Sequence, residues 1–138
     1  MKKLINTSFV YFILAMIAGV FYREFTKFYN FTEKTTLSVV HTHLLTLGMF
    51  LFLILAALFK DNIKLSDNKK FKRFYIFYNI SLPFFAIMFI IRGIFQVLSI
   101  ELSATINAII SGFAGISHIF MLISFILLFI SLKDILEI

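Results

Sequence analysis

The chain has 138 residues, of which 61% are hydrophobic, and it has a formal net charge of +6 and no cysteine. Soluble domains are about half apolar, so a mean hydropathy of +0.99 indicates a membrane protein with one small domain. The lack of cysteine excludes disulfides, thiolate metal sites and iron–sulfur clusters built by this chain.

Four segments are long and apolar enough to cross a bilayer, which takes about 20 residues. They run from about Ile5 to Phe25, from Leu37 to Phe59, from Phe74 to Leu98 and from Thr105 to Leu132. Because these runs are long and show no period-two alternation, we expect helices and not the strands of a barrel. The predicted fold is all-α: one integral membrane four-helix bundle over residues 1–138.

The basic residues lie at the ends of the apolar segments, which predicts both the orientation and the partners. One side would hold Lys2, Lys3, Lys60, Lys64, Lys69, Lys70, Lys72, Arg73 and Lys133. The other side would hold only Arg23, Lys27 and Lys34. The positive-inside rule then places both termini in the cytoplasm. We expect the bilayer, and not a nucleic acid, as the partner of these charges.

The chain's three histidines all fall within predicted spans, where ionisable side chains usually mark a functional site. His41 and His43 are separated by about 200° around a helix, so they point to nearly opposite sides and cannot bind the same metal ion. Counting about 1.5 Å per residue puts His118 roughly 7–8 Å deeper in the membrane than His43.

The other polar side chains concentrate in the outer half of the predicted bundle. Tyr22 and Arg23 close the outer end of the first span, and Arg92 lies below the outer end of the third. We expect the inner half to be almost entirely aliphatic or Phe.

A stripe of small residues leads to His118 on the fourth span, formed by Ala108, Ser111, Gly112 and Gly115. It has two interpretations. Small residues allow two helices to pack closely in a membrane, or they could leave a slot for a planar ligand beside its axial histidine.

The available side chains favour a bound cofactor over a hydrolytic enzyme. Apart from Glu24 at the outer end of the first span, the spans contain no Asp or Glu, and they contain no nucleophile–base set, so we predict no catalytic residues. Neutral imidazoles suit haem iron, copper or zinc, and helix bundles readily hold a porphyrin. We therefore predict haem b, with His43 and His118 as preferred ligands and His41 as the second choice. Arg92, Arg23 and Tyr22 are the predicted partners of the propionates.

Three alternatives remain open at this point. Copper could bind through imidazoles and the thioethers present once in each span, at Met16, Met49, Met88 and Met121. A second alternative is a small copper or metabolite carrier. In the third, the histidines only connect helices, and the protein is a non-enzymatic membrane assembly factor or partner.

The stretch from Val39 to Gly48 contains His41-Thr42-His43 followed by a glycine. It resembles a helix in the catalytic subunits of the haem–copper oxidase and nitric-oxide reductase superfamily. There the first histidine binds the high-spin haem and the second binds the low-spin haem from the opposite side. The resemblance implies these roles for His41 and His43. Those subunits combine three related four-helix units, whereas this chain has one unit.

A second resemblance rests on residues 21–27, FYREFTK, and residues 35–43, TTLSVVHTH. This pattern is similar to an uncharacterised family of small four-span bacterial membrane proteins. The two resemblances imply a single-unit relative of the oxidase core in the bacterial cytoplasmic membrane, and a homotrimer would recreate the three-unit ring. The expected role is electron transfer with a redox partner, haem handling or small-gas binding, and whether this includes catalysis is open.

Overall fold

The computed structural model describes residues 1–60 and 68–136. In this part of the chain all regular structure is helical: α1 (Lys2–Phe28), α2 (Leu37–Leu58), α3 (Lys69–Val97) and α4 (Ala104–Leu136). Each helix is long and apolar enough to cross a membrane. The prediction of an all-α, multi-pass membrane bundle is confirmed. Lys64, which contributed to the predicted topology, lies outside the described residues.

The helices extend beyond the predicted spans at the end of the bundle that holds both termini, which we call the termini end. α3 begins at Lys69 because Asn68 caps it, accepting a hydrogen bond from the backbone N–H of Phe71 at 2.9 Å. Asp134, near the end of α4, accepts a hydrogen bond from Asn68 at 2.6 Å and pairs with Lys70. The apolar pattern predicts only the lipid-crossing part, whereas capping and polar contacts let a helix continue into water.

The helices pack in chain order, α1 on α2, α2 on α3 and α3 on α4. Hydrogen bonds also join the first half of α1 to the first half of α3, through Thr7 with Tyr75 and Tyr11 with Asn79. In the described chain α4 makes its main contact with α3. It therefore forms one edge of the bundle.

Two glycines allow α2 to approach its neighbours closely. A Cβ on Gly48 would lie 2.5 Å from Cγ of Tyr11 on α1, and a Cβ on Gly93 of α3 would lie 2.5 Å from Cγ of Leu37. Real side chains essentially never approach so closely. The Tyr11 ring in turn stacks on Phe52 of α2 with centroids 5.9 Å apart.

The middle of α2, Leu44–Phe50, is π-helical and begins directly after His43. In a π-helix the hydrogen bonds span five residues, and such segments often lie at functional sites. Side chains of neighbouring helices bond to its carbonyls: Tyr78 donates to the oxygen of Leu47 and Ser8 to that of Met49, both at 2.8 Å. Because the bilayer interior offers no water to satisfy carbonyls, these hydroxyls stabilise the segment. The sequence did not predict it.

α4 packs on α3 through a face of serines and aliphatic residues at a spacing of seven, typical of paired helices. Its buried residues are Ile110, Ser117, Met121, Ser124, Leu128, Ser131 and Ile135. The two glycines of the predicted small-residue stripe do not belong to this buried face. A Cβ on Gly112 or Gly115 would meet nothing within 4 Å. Within the described residues the two glycines of that stripe therefore make no close helix contact, whereas its Ser111 accepts a hydrogen bond from Arg92 of α3.

Candidate ligand site at His43 and His118

His43 on α2 and His118 on α4 contact the same two rings of α3. The ring centroid of His43 lies 5.5 Å from that of Phe85 and 5.2 Å from that of Phe89. The corresponding distances for His118 are 4.7 and 6.3 Å. Two histidines from different helices thus share one aromatic surface.

Each of these histidines is held by its own helix. Nδ1 of His43 lies 2.7 Å from the carbonyl oxygen of Val39, and Nδ1 of His118 lies 2.7 Å from that of Ala114. A carbonyl can only accept, so Nδ1 is the protonated nitrogen and donates in both rings. The other nitrogen, Nε2, then has a lone pair, which is the form in which an imidazole binds a metal.

The structure also explains the difference in depth between His43 and His118 that residue counting predicts. The two imidazoles contact rings that are one turn apart on α3, with Phe85 and Phe89 centroids separated by 4.8 Å. α4 is a single helix of 33 residues, longer than a bilayer requires, and its position along α3 is set by packing. Counting from predicted span ends therefore overestimated the offset between His43 and His118.

His41 points to the opposite side of α2, as its 200° separation from His43 predicts. It packs against Gly19 of α1, where a Cβ would lie 3.6 Å from Cβ of His41. Its Nδ1 is buried and has no hydrogen-bond partner among the described residues. His41 is thus placed away from the Phe85 and Phe89 rings.

Arg92 lies close to the histidine pair along α3. It follows Phe89 by three residues, and its Nη2 donates to the Ser111 hydroxyl of α4 at 2.7 Å. Gln96, one turn further, accepts from the backbone N–H of Thr36 at 2.8 Å instead. Arg92 therefore places a cation at the α3–α4 contact, on the side of the histidines away from the termini end.

Arg23 and Tyr22 are not joined to this group. The Arg23 side chain is 79% exposed and lies 3.8 Å from the carboxylate of its neighbour Glu24. The carbonyl of Tyr22 accepts a hydrogen bond from Thr26 at 2.8 Å. These contacts all lie within α1. Of the three predicted propionate partners, Arg92 is the one whose described contact lies near the histidines.

Residues 1–135 match the model of a protein family whose description is 'protein of unknown function'. The chain belongs to this family, DUF2871. The expectation of an uncharacterised family is confirmed over nearly the whole chain. No curated protein and no solved structure matches, so the resemblance to haem–copper oxidases has no support from these comparisons and remains a prediction.

A metal site of several protein ligands is not formed by the described residues, which contain no group of three or more His, Cys, Asp or Glu side chains suited to a metal ion. The methionines predicted for copper differ in environment. Met16 is 40% exposed, whereas Met88 and Met121 are buried. Buried Met commonly fills gaps in apolar cores, and the arrangement favours that role here.

The inner half of the bundle contains a polar network that the sequence did not predict. Thr7 and Tyr11 of α1 face Tyr75 and Asn79 of α3, and their side chains are hydrogen-bonded across the contact. The expectation of an inner half that is almost entirely aliphatic or Phe therefore does not hold for α1 and α3. The available signal was the spacing of four within each pair, which puts both members on one helix face.

Proposed function

We propose that this protein binds haem b, with His43 and His118 as axial ligands to the iron. One observation supports this above all: two imidazoles from different helices contact the same pair of Phe rings, and each donates Nδ1–H to its own helix. Metal-ligating histidines typically donate their second ring N–H in this way, which fixes the tautomer and the ring orientation. Haem iron commonly takes such imidazole ligands.

The surroundings of the pair suit a porphyrin. Phe85 and Phe89 provide an apolar surface that both imidazoles contact. The face of α4 that precedes His118 has no side chains at Gly112 and Gly115 and is open, which leaves room for a flat ring. Arg92 could receive a propionate through charge-assisted hydrogen bonds. The contacts described for Arg23 and for the Tyr22 carbonyl lie within α1.

When bound, haem would supply one-electron chemistry or a binding position for a small gas. The proposed role is therefore electron transfer with a redox partner, haem handling or small-gas binding, in the bacterial cytoplasmic membrane. The His-x-His resemblance supports a haem-ligand role, because His41 and His43 point to different neighbours. On that analogy His41 would serve a second site.

We further propose that the protein forms a homo-oligomer, and that a trimer would rebuild the ring of three four-helix units. The position of α4 supports this, because among the described residues it packs mainly on α3 and leaves its other faces uncovered. Cyclic symmetry is the usual route by which one chain forms a closed assembly.

The test is the absorption spectrum of the protein, produced in cells supplied with a haem precursor and purified in mild detergent. We expect a Soret band, and a loss of bound haem by at least about tenfold in His43→Ala and in His118→Ala. This is a minimum, because losing an outer-shell partner of a metal ligand already costs about 10–100-fold. Bound haem would be quantified as its pyridine complex.

His41→Ala is the matched control, since it removes an imidazole from the opposite face of α2 and should retain the haem held by His43 and His118. Added imidazole should restore the band in His43→Gly if the side chain acts as a ligand. A colourless protein from haem-replete cells, or an unchanged spectrum in both ligand variants, would contradict the proposal.

The alternative of histidines that only connect helices predicts a colourless protein whose variants unfold more easily. It is less well supported, because the Nδ1 bonds of His43 and His118 remain within their own helices. No observation favours a copper or metabolite carrier over these two.

A further inference from the structure

A cavity of about 690 Å³ lies at the termini end, between the first halves of α1 and α3. Its lining includes neither the histidines nor Arg92. It therefore belongs to a different part of the molecule from the proposed haem site.

Four polar residues of the lining, Thr7, Tyr11, Tyr75 and Asn79, form hydrogen bonds within the protein. The Tyr75 hydroxyl lies 2.5 Å from Thr7 Oγ1, which donates to the carbonyl of Lys3 at 2.9 Å, so Tyr75 is the donor to Thr7. Tyr11 donates to Oδ1 of Asn79 at 3.0 Å, and Nδ2 of Asn79 donates to the carbonyl of Tyr75 at 2.7 Å. These hydroxyl donors are used within the protein, so the wall can face hydrocarbon without a polar ligand.

The charged side chains in the lining are two lysines at one end. Lys2 and Lys3 are exposed at the start of α1, and Nζ of Lys3 lies 4.1 Å from the ring centroid of Tyr75. The opposite end is lined by Val10, Leu14 and Pro83. The cavity therefore suits an amphiphile with an anionic group at the lysines and an apolar part further in.

The length of the cavity matches one leaflet of a bilayer. From Lys3 to Leu14, α1 rises about 16 Å at 1.5 Å per residue. The hydrocarbon core of a bilayer is about 30 Å thick, so an acyl chain anchored at the lysines would reach its middle beside Leu14. A soluble anion would leave this apolar part of the cavity unused.

We propose that this cavity binds an anionic phospholipid from the leaflet at the termini end. Lys2 and Lys3 hold the phosphate, and one acyl chain lies along Val10, Leu14 and Pro83. The leaflet is the cytoplasmic one if the positive-inside prediction holds. The proposal is independent of haem binding.

Native mass spectrometry of the full-length protein, released from bilayer discs of equal phosphatidylglycerol and phosphatidylcholine, tests the proposal. We expect the wild type to retain phosphatidylglycerol preferentially. The double variant Lys2→Gln, Lys3→Gln should lose up to roughly 30-fold of that preference, which corresponds to about 1 kcal/mol for each lysine near an anionic surface. Equal retention of both lipids by the wild type would overturn the proposal.

The charge control is Lys69→Gln with Lys72→Gln, which removes two exposed cations at the same end of the bundle but outside the cavity lining. It should keep the preference. A loss equal to that of the Lys2 and Lys3 variant would mean general surface attraction and would overturn the site.

The cavity itself is tested by Leu14→Trp against Ile13→Trp. These neighbours are similarly exposed, at 43% and 40%, but Leu14 alone lines the cavity. Leu14→Trp should displace the lipid with both lysines intact, and Ile13→Trp should not. Excess inorganic phosphate should leave the adduct in place, and displacement by phosphate would assign the lysines to a free anion instead.

Discussion

Gly48 on α2 and Gly112 on α4 are both glycines within apolar helices, yet their environments are opposite. The ring of Tyr11 covers Gly48 so closely that a Cβ would lie 2.5 Å from it, whereas a Cβ on Gly112 would meet nothing within 4 Å. A glycine permits a close helix contact, but only the position of a partner helix decides whether the contact forms.

α4 itself shows why its glycines are left open. The face that packs on α3 contains Ser117, Ser124 and Ser131, which are each 0% exposed. The hydroxyls of Ser117 and Ser131 donate to carbonyls of α4, each at 2.7 Å. The single proton of Ser124 is shared between the carbonyl of Phe120 at 2.8 Å and the hydroxyl of Ser81 on α3 at 3.0 Å. Such serines are small and already satisfied, so they pack like glycine or alanine with little cost from a buried polar group.

The largest effect is expected where the glycine contact is tightest. Gly48→Ala should lower the free energy of unfolding by about 1–3 kcal/mol, because the new methyl group overlaps the Tyr11 ring. Gly112→Ala should leave stability unchanged or raise it by up to about 1 kcal/mol, through helix propensity alone. Reversible unfolding in mixed detergent micelles would measure both, and equal effects of the two variants would remove the distinction drawn here.

A substitution on the open face of α4 should have a smaller effect. It should lower the amount of bound haem and not the stability of the protein. Gly115→Leu should reduce bound haem several-fold, because it places a side chain beside His118 in the space assigned to the porphyrin. The haem-free protein should unfold no more easily than the wild type, since a Cβ there meets nothing within 4 Å. Leu122→Phe, at a 59% exposed position of the same helix, is the control. Unchanged haem content in Gly115→Leu would argue against ligand binding on this face.

The smallest effect concerns the serine face. Ser124→Ala removes the 3.0 Å hydrogen bond to Ser81 of α3 and should cost about 0.6 kcal/mol, the typical value for a bond between helices in a membrane. Ser131→Ala, whose hydroxyl bonds to the carbonyl of Leu128 in its own helix, should cost less. The same unfolding assay would compare them, and a larger loss in Ser131→Ala would mean that packing outweighs the interhelical bond.

The candidate site was partly predictable from the sequence. Helix periodicity alone gave the opposed directions of His41 and His43, since residues two apart differ by about 200°. It could not show that His118 reaches the rings contacted by His43, because the position of one helix along another depends on packing. Likewise, nothing local separates Arg92, which bonds to α4, from Arg23, which stays near Glu24.

By itself, the sequence determined that four helices cross a membrane, because segment length and apolarity are properties of each run of residues. The tertiary structure decided the π-helical segment after His43, the serine face of α4 and the polar network of Tyr11, Tyr75 and Asn79. These features depend on which helix lies beside which. When helices are hydrophobic on all sides, the pattern of their side chains does not specify which helix packs on which. Close packing and the pairing of polar groups specify the neighbours instead.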